Sequence, residues 1–161
     1  MKKLFALIAL ALVAAACLPP LPDVVKLGNT QLTVVADDSV WNATDYEGKP
    51  VLIVFMGSWC PYCKMSMPAV NAVAQKFEGK AEVVGAFVDE NAAPVKQAVK
   101  DNGFTAKALY GAGELSEGLE VTGLPHAVLF DKKHRLVKSW ANGFQPNFEE
   151  EFTFYLEKQL N

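Results

Sequence analysis

Two cysteines three residues apart, Cys60 and Cys63, are the first chemistry the chain offers. A C-x-x-C loop is too small to staple a fold and well sized for a reversible dithiol and disulfide pair. Thiols in such motifs reach pKa values of roughly 3.5–7.5, against about 8.5 for a free cysteine, because a helix N-terminus stabilises negative charge on sulfur. In Trp59-Cys60-Pro61-Tyr62-Cys63, Cys60 stands where an apolar run gives way to a helical pattern, so it is expected to be the attacking thiol. Cys63 lies one turn further along the same helix face and is expected to resolve a mixed disulfide by attacking Cys60. A zinc site would need two more ligands, yet the remaining candidates, His126 and His134, are eight residues apart with no second C-x-x-C. The expectation is therefore no metal, and no cofactor beyond the redox-active Cys60–Cys63 pair itself.

The elements that must position the pair are legible around it. Val51 to Met56 is a continuous β-branched and apolar run, the pattern of a strand buried on both faces. After Cys60, Met67, Val70, Ala74 and Phe77 recur at helical spacing until Gly79. Glu82 to Val88 reads as a second strand, and Pro94 to Asn102 as a helix with proline in its first turn and Gly103 at its end. A short strand at Ala106 to Tyr110 and a helix at Glu114 to Leu119 follow. Ala127 to Phe130 and Leu136 to Trp140 form a hairpin, and Phe148, Phe152, Tyr155, Leu156 and Leu160 mark one face of a terminal helix with Asn147 as its N-cap. Upstream, Gln31 to Val35 and Val40 to Tyr46 suggest a strand pair entering the domain. A parallel unit followed by a hairpin and a helix implies α/β architecture, a central sheet covered by helices.

The chain has 161 residues, 51% of them hydrophobic and 20% charged, a composition suited to one folded domain. Lys2 and Lys3 precede thirteen small or apolar residues, Leu4 to Ala16, as in a secretory signal peptide. Thirteen residues rise about 20 Å as a helix, short of the roughly 30 Å of a bilayer core. Ala14-Ala15-Ala16 before Cys17 resembles a bacterial lipoprotein signal, with Ala14 where the motif usually carries leucine; that resemblance makes Cys17 the lipid-attachment residue, and simple cleavage after Ala16 is the alternative. Leu18-Pro19-Pro20-Leu21-Pro22 favours an extended spacer. Without Lys2 and Lys3 the chain carries 13 basic and 18 acidic residues, net −5, and no basic run, which argues against nucleic acid as a partner.

Taken together, the strand Val51 to Met56, the Trp59 to Cys63 motif, Pro68 eight residues after Cys60, and Gly123-Leu124-Pro125 resemble the TlpA/ResA-like group of thioredoxin-fold thiol–disulfide oxidoreductases, over most of the mature chain. The resemblance implies a thioredoxin-like fold, a central mixed sheet flanked by helices with an N-terminal strand extension. The organisation is then residues 1–16 as signal peptide, 17–24 as lipid-attachment cysteine and tether, and 25–161 as the thioredoxin-like domain. It further implies a cis peptide at Pro125 facing the cysteines, and backbone groups of Leu124 offered to an extended substrate segment. Two positions depart from the pattern. Thioredoxins proper carry a buried aspartate six residues before the first cysteine, where this chain has Val54, and some ResA-like proteins carry a glutamate three residues after the second, where it has Ser66.

Around the motif, Trp59, Pro61 and Tyr62 are expected to shape a partner surface, and His126 to approach the Cys60 sulfur. Met56, Met65 and Met67 read as core filler, and Asp89 and Glu90 as solvated loop charges. The function that the resemblance implies is a membrane-tethered cell-envelope enzyme on the periplasmic or extracytoplasmic face, reducing protein disulfides and re-reduced by a transmembrane electron donor. Several members of the group serve cytochrome c maturation or related assembly. An envelope disulfide oxidase or isomerase is the alternative within the class, and a copper-binding chaperone using the same cysteines is the alternative outside it.

Overall fold

The computed structural model describes residues 26–141 and 143–161. The expected signal peptide, Cys17 and the proline tether lie outside the described residues. Among the described residues no helix is long and apolar enough to cross a membrane.

The frame is a seven-stranded mixed sheet with the order β2-β1-β5-β4-β3-β6-β7. Its strands are β1 (Gln31–Val34), β2 (Val40–Asn42), β3 (Val51–Met56), β4 (Glu82–Phe87), β5 (Lys107–Tyr110), β6 (His126–Phe130) and β7 (Leu136–Trp140). The helices are α1 (Pro61–Lys76), α2 (Ala92–Asp101), α3 (Gly113–Gly118) and α4 (Phe148–Leu160). β3, β4 and β5 run parallel, while β6 and β7 extend the sheet antiparallel on one side and β1 and β2 on the other.

Every residue of β3 is fully buried because both sheet faces are covered. Leu52, Val54 and Met56 point into a core with Val70 and Val73 of α1, Val95 of α2 and Phe148, Phe152 and Leu156 of α4. Val51, Ile53 and Phe55 point into a second core with Trp41, Leu109, Val128 and Phe130, against which Leu115 of α3 packs. The unbroken apolar run is what two-sided burial requires.

Three expectations shift in detail. The segment after β2 leaves the sheet, and Ala43–Tyr46 forms one 3-10 turn whose Tyr46 ring stacks on Trp41 at 5.6 Å. α2 begins at Ala92, before Pro94; the first-turn N–H groups have no partner within a helix, so proline fits there at no cost in hydrogen bonds. Asn147 stands at the N-cap of α4 with no side-chain capping bond, and Glu149, Glu150 and Glu151 in the first turn complement the helix dipole instead.

Gly85 lies in the middle of β4, where a Cβ would come within 2.7 Å of Phe104 Cζ and 3.0 Å of its Cε1. Phe104 is buried and packs edge-on against Phe87 at 6.3 Å, so making room would disturb the core. Gly85→Ala is therefore expected to cost about 1–3 kcal/mol by overpacking. Urea unfolding of the two proteins, compared at their midpoints, checks this.

Candidate active site

β3 and β4 end side by side, Met56 opposite Phe87, so the loops that leave them emerge together at one edge of the sheet. The β3 loop turns tightly, Cys60 N–H donating to the Gly57 carbonyl at 3.0 Å, and α1 starts at Pro61. Gly57 has no side chain for a reason: a Cβ there would meet the Trp59 indole at 2.8–3.1 Å.

Cys60 is the N-cap of α1, and its sulfur accepts the Cys63 N–H at 3.2 Å. A helix N-terminus and a donated N–H both stabilise negative charge on that sulfur. Its thiol also reaches the Leu124 carbonyl at 3.7 Å, across the cis Leu124–Pro125 peptide bond. Cys60 is 7% exposed and Cys63 is fully buried, and the two are free thiols. Burial pushes the Cys63 thiol strongly upward from 9.0, and the neighbouring Cys60 sulfur adds to the rise. One sulfur thus sits at the helix N-cap, barely exposed, and the other lies fully buried one turn beneath it.

Trp59 and Tyr62 flank the cysteines in sequence at 63% and 60% exposure, with Pro61 exposed between Cys60 and Tyr62. Met65, read as core filler, is 54% exposed on α1, whereas Met56 and Met67 are fully buried core residues.

Two residues stand differently from their sequence-based readings. His126 lies opposite Phe55 in the β3–β6 ladder, so its ring shares the face of the second core, away from the cysteines. Its Nε2 bonds Ser139 Oγ at 2.7 Å, its Nδ1 has no partner, and burial holds its pKa below 6.5. Asp89 is not a solvated loop charge. It is 7% exposed and accepts Ser58 N–H at 3.0 Å and Ser58 Oγ–H at 2.6 Å, which ties the β4 loop to the turn that presents Cys60. The one sequence signal for this contact is indirect: adjacent parallel strands bring residues just beyond their ends together. His134, buried in the β6–β7 loop, reaches the Tyr46 carbonyl at 3.2 Å. Among the described residues no three His, Cys, Asp or Glu side chains converge on one point.

Residues 20–152 match the Redoxin family model. The chain belongs to the redoxin family. A thioredoxin-like protein of Synechocystis is 36% identical over 84 residues, 52% of this chain and 76% of that one. The thiol–disulfide oxidoreductase ResA of Bacillus thuringiensis is 32% identical over 117 residues, 71% of this chain and just under two thirds, 65%, of that one. A secreted Mycobacterium tuberculosis disulfide oxidoreductase homologous to Escherichia coli DsbE superposes with a TM-score of 0.69 at 16% identity, over 81% of this chain and 96% of that one, a likeness of fold. The chain is thus a redoxin with a thioredoxin-like fold, similar to the ResA oxidoreductase, and its class is thiol–disulfide oxidoreductase.

The raised Cys63 pKa gives a signed stability prediction. Above about pH 9 the unfolded chain releases this proton while the folded protein keeps it, so the unfolded state binds fewer protons and stability falls as pH rises. The slope approaches about 1.4 kcal/mol per pH unit for one proton. Denaturant titrations of the reduced protein and Cys63→Ala between pH 8 and 10 should diverge by that slope, the variant being the flatter.

Asp89→Ala leaves the Ser58 N–H and hydroxyl without their acceptor and is expected to cost about 1–3 kcal/mol. Hydrogen exchange at the Ser58 to Cys60 amides should accelerate in the variant, and Asp89→Asn, which retains one acceptor oxygen, should fall between the two.

Proposed function

We propose that the protein is a lipid-anchored cell-envelope oxidoreductase that reduces protein disulfides through Cys60 and Cys63. The carrying observation is the asymmetry of the pair: Cys60 at the helix N-cap beside the Leu124 carbonyl, Cys63 sealed behind it. In the reductive cycle the Cys60 thiolate attacks one sulfur of a substrate disulfide. A mixed disulfide forms and the other substrate sulfur leaves as a thiolate. Cys63 then attacks Cys60 as its proton passes to the departing substrate sulfur, which forms the Cys60–Cys63 disulfide and releases the second substrate thiol. Two electrons and two protons have passed to the substrate, and a membrane-embedded dithiol donor restores the enzyme.

The cis-Pro125 loop is assigned the docking of the substrate backbone, with the Leu124 peptide groups available for strand-like addition and Trp59, Pro61 and Tyr62 gripping the flanks. His126 is given no part in contacting sulfur, since it supports the sheet from the far face. Export and tethering rest on the Lys2 to Ala16 segment and Cys17, and the secreted DsbE-like neighbour supports an extracytoplasmic setting. The reducing direction rests on the resemblance to the TlpA/ResA-like group carried by the Trp59 to Cys63 motif and Gly123-Leu124-Pro125.

Cys63→Ser should trap a mixed disulfide between Cys60 and its substrates, visible on a non-reducing gel and cleared by reductant, while Cys60→Ser should trap none. Equilibration against defined thiol buffers decides direction: a potential near thioredoxin's, about −270 mV, fits a reductase, and one near DsbA's, about −120 mV, would make the protein an oxidant.

A further inference from the structure

Beyond Leu124 the docking loop opens into a groove of about 390 Å3 between the β4 loop and the segment that follows α3. Val88, Val121 and Leu124, all half-buried, give it apolar walls, and Glu90 and Glu117 stand exposed at its margins. No lysine, arginine or histidine lines it. The ion pairs among the described residues are Lys76 with Glu157, Lys96 with Asp38, Lys107 with Glu82 and Arg135 with Asp131, so neither groove carboxylate is neutralised.

The position of this groove matters more than its charge alone. It starts at the residue whose carbonyl receives the Cys60 thiol, so a polypeptide whose disulfide reaches Cys60 and runs past Leu124 lays its next residues towards Glu90 and Glu117. The occupant that fits is a long side chain with an apolar stem and a cationic head, its stem against Val88 and Val121 and its charge at the carboxylates.

Resting on the reductase reading above, we propose that Glu90 and Glu117 select substrate segments that carry lysine or arginine within a few residues of the attacked cysteine. The two carboxylates act on encounter and docking, leaving the chemistry at sulfur to Cys60 and Cys63. Their effect on exposed charges is screened by salt.

The test uses the reduced protein in single turnover with two synthetic peptides, each closed by an internal disulfide. The peptides differ only in having lysine or glutamate at the positions flanking the cysteines. At low ionic strength the lysine peptide should be reduced roughly tenfold faster, the advantage shrinking severalfold in 0.5 M salt, as expected of electrostatic steering. The double variant Glu90→Gln with Glu117→Gln should bring the ratio close to one, while reduction of hydroxyethyl disulfide, small and uncharged, stays unchanged. Glu149→Gln with Glu150→Gln on α4 makes the same change in net charge away from the groove and should leave the preference intact. Equal rates for the two peptides, a preference that survives loss of both groove carboxylates, or one lost equally in the α4 variant would each overturn the inference while leaving the redox reading standing. Failure to reduce any of the three disulfides would overturn that reading as well.

Discussion

The parallel pairing of β3 with β4, in register from Val51 opposite Glu82 to Met56 opposite Phe87, decides where the chemistry can be. Two parallel strands that end together send both following loops to the same edge. One loop carries Cys60, and the other carries the carboxylate that holds it through Ser58. The antiparallel pairing of β3 with β6 brings the start of β6 to that edge too, Phe55 lying opposite His126, and so delivers the Leu124–Pro125 peptide to the sulfur. A one-residue slip in either ladder would turn the inward set Leu52, Val54 and Met56 outward, so the burial of β3 on both faces is what locks the site in place.

Much of this frame was readable from residues because β3 and α1 obey strong, different periodicities. A six-residue run apolar at every position, rich in β-branched residues and preceded by Gly48 and Pro50, fits a doubly covered strand, and the helical recurrence of Met67, Val70 and Phe77 begins where the cysteines sit. The cis-Pro125 peptide came from the family resemblance and not from any pattern. Asp89 was hidden because burial of a coil residue has no periodicity to reveal it; its surroundings come from another strand's loop 31 positions away in sequence. The same holds for the polar cluster at the far end of the sheet, where Lys107 joins Glu82 and Tyr46 and Trp41 Nε1–H reaches Glu82 at 3.0 Å.

His126 is a different kind of miss. Its place after Pro125 suggested proximity to sulfur, but adjacency along a strand does not mean a shared face. With β6 beginning at His126, strand alternation groups it with Val128 and Phe130, and Ala127 with Leu129 turns the other way, into the core that holds the cysteines. Starting the strand one residue late, at Ala127, concealed that parity.

The chain lacks a carboxylate at either position where related proteins place one, Val54 and Ser66 both being fully buried, and Ser66 spends its hydroxyl on the Cys63 carbonyl at 2.7 Å. Something else must govern when Cys63 gives up its proton. Burial is the larger restraint on ionisation and is constant through the cycle, but the Cys60 sulfur contributes a second restraint through its hydrogen bonding and its charge. In the cycle proposed above, Cys60 engaged in a mixed disulfide carries no negative charge, so the charge part of that restraint is lifted once the first attack has succeeded. Placing two sulfurs one helical turn apart, the second sealed beneath the first, thus couples the ionisation of Cys63 to the state of Cys60.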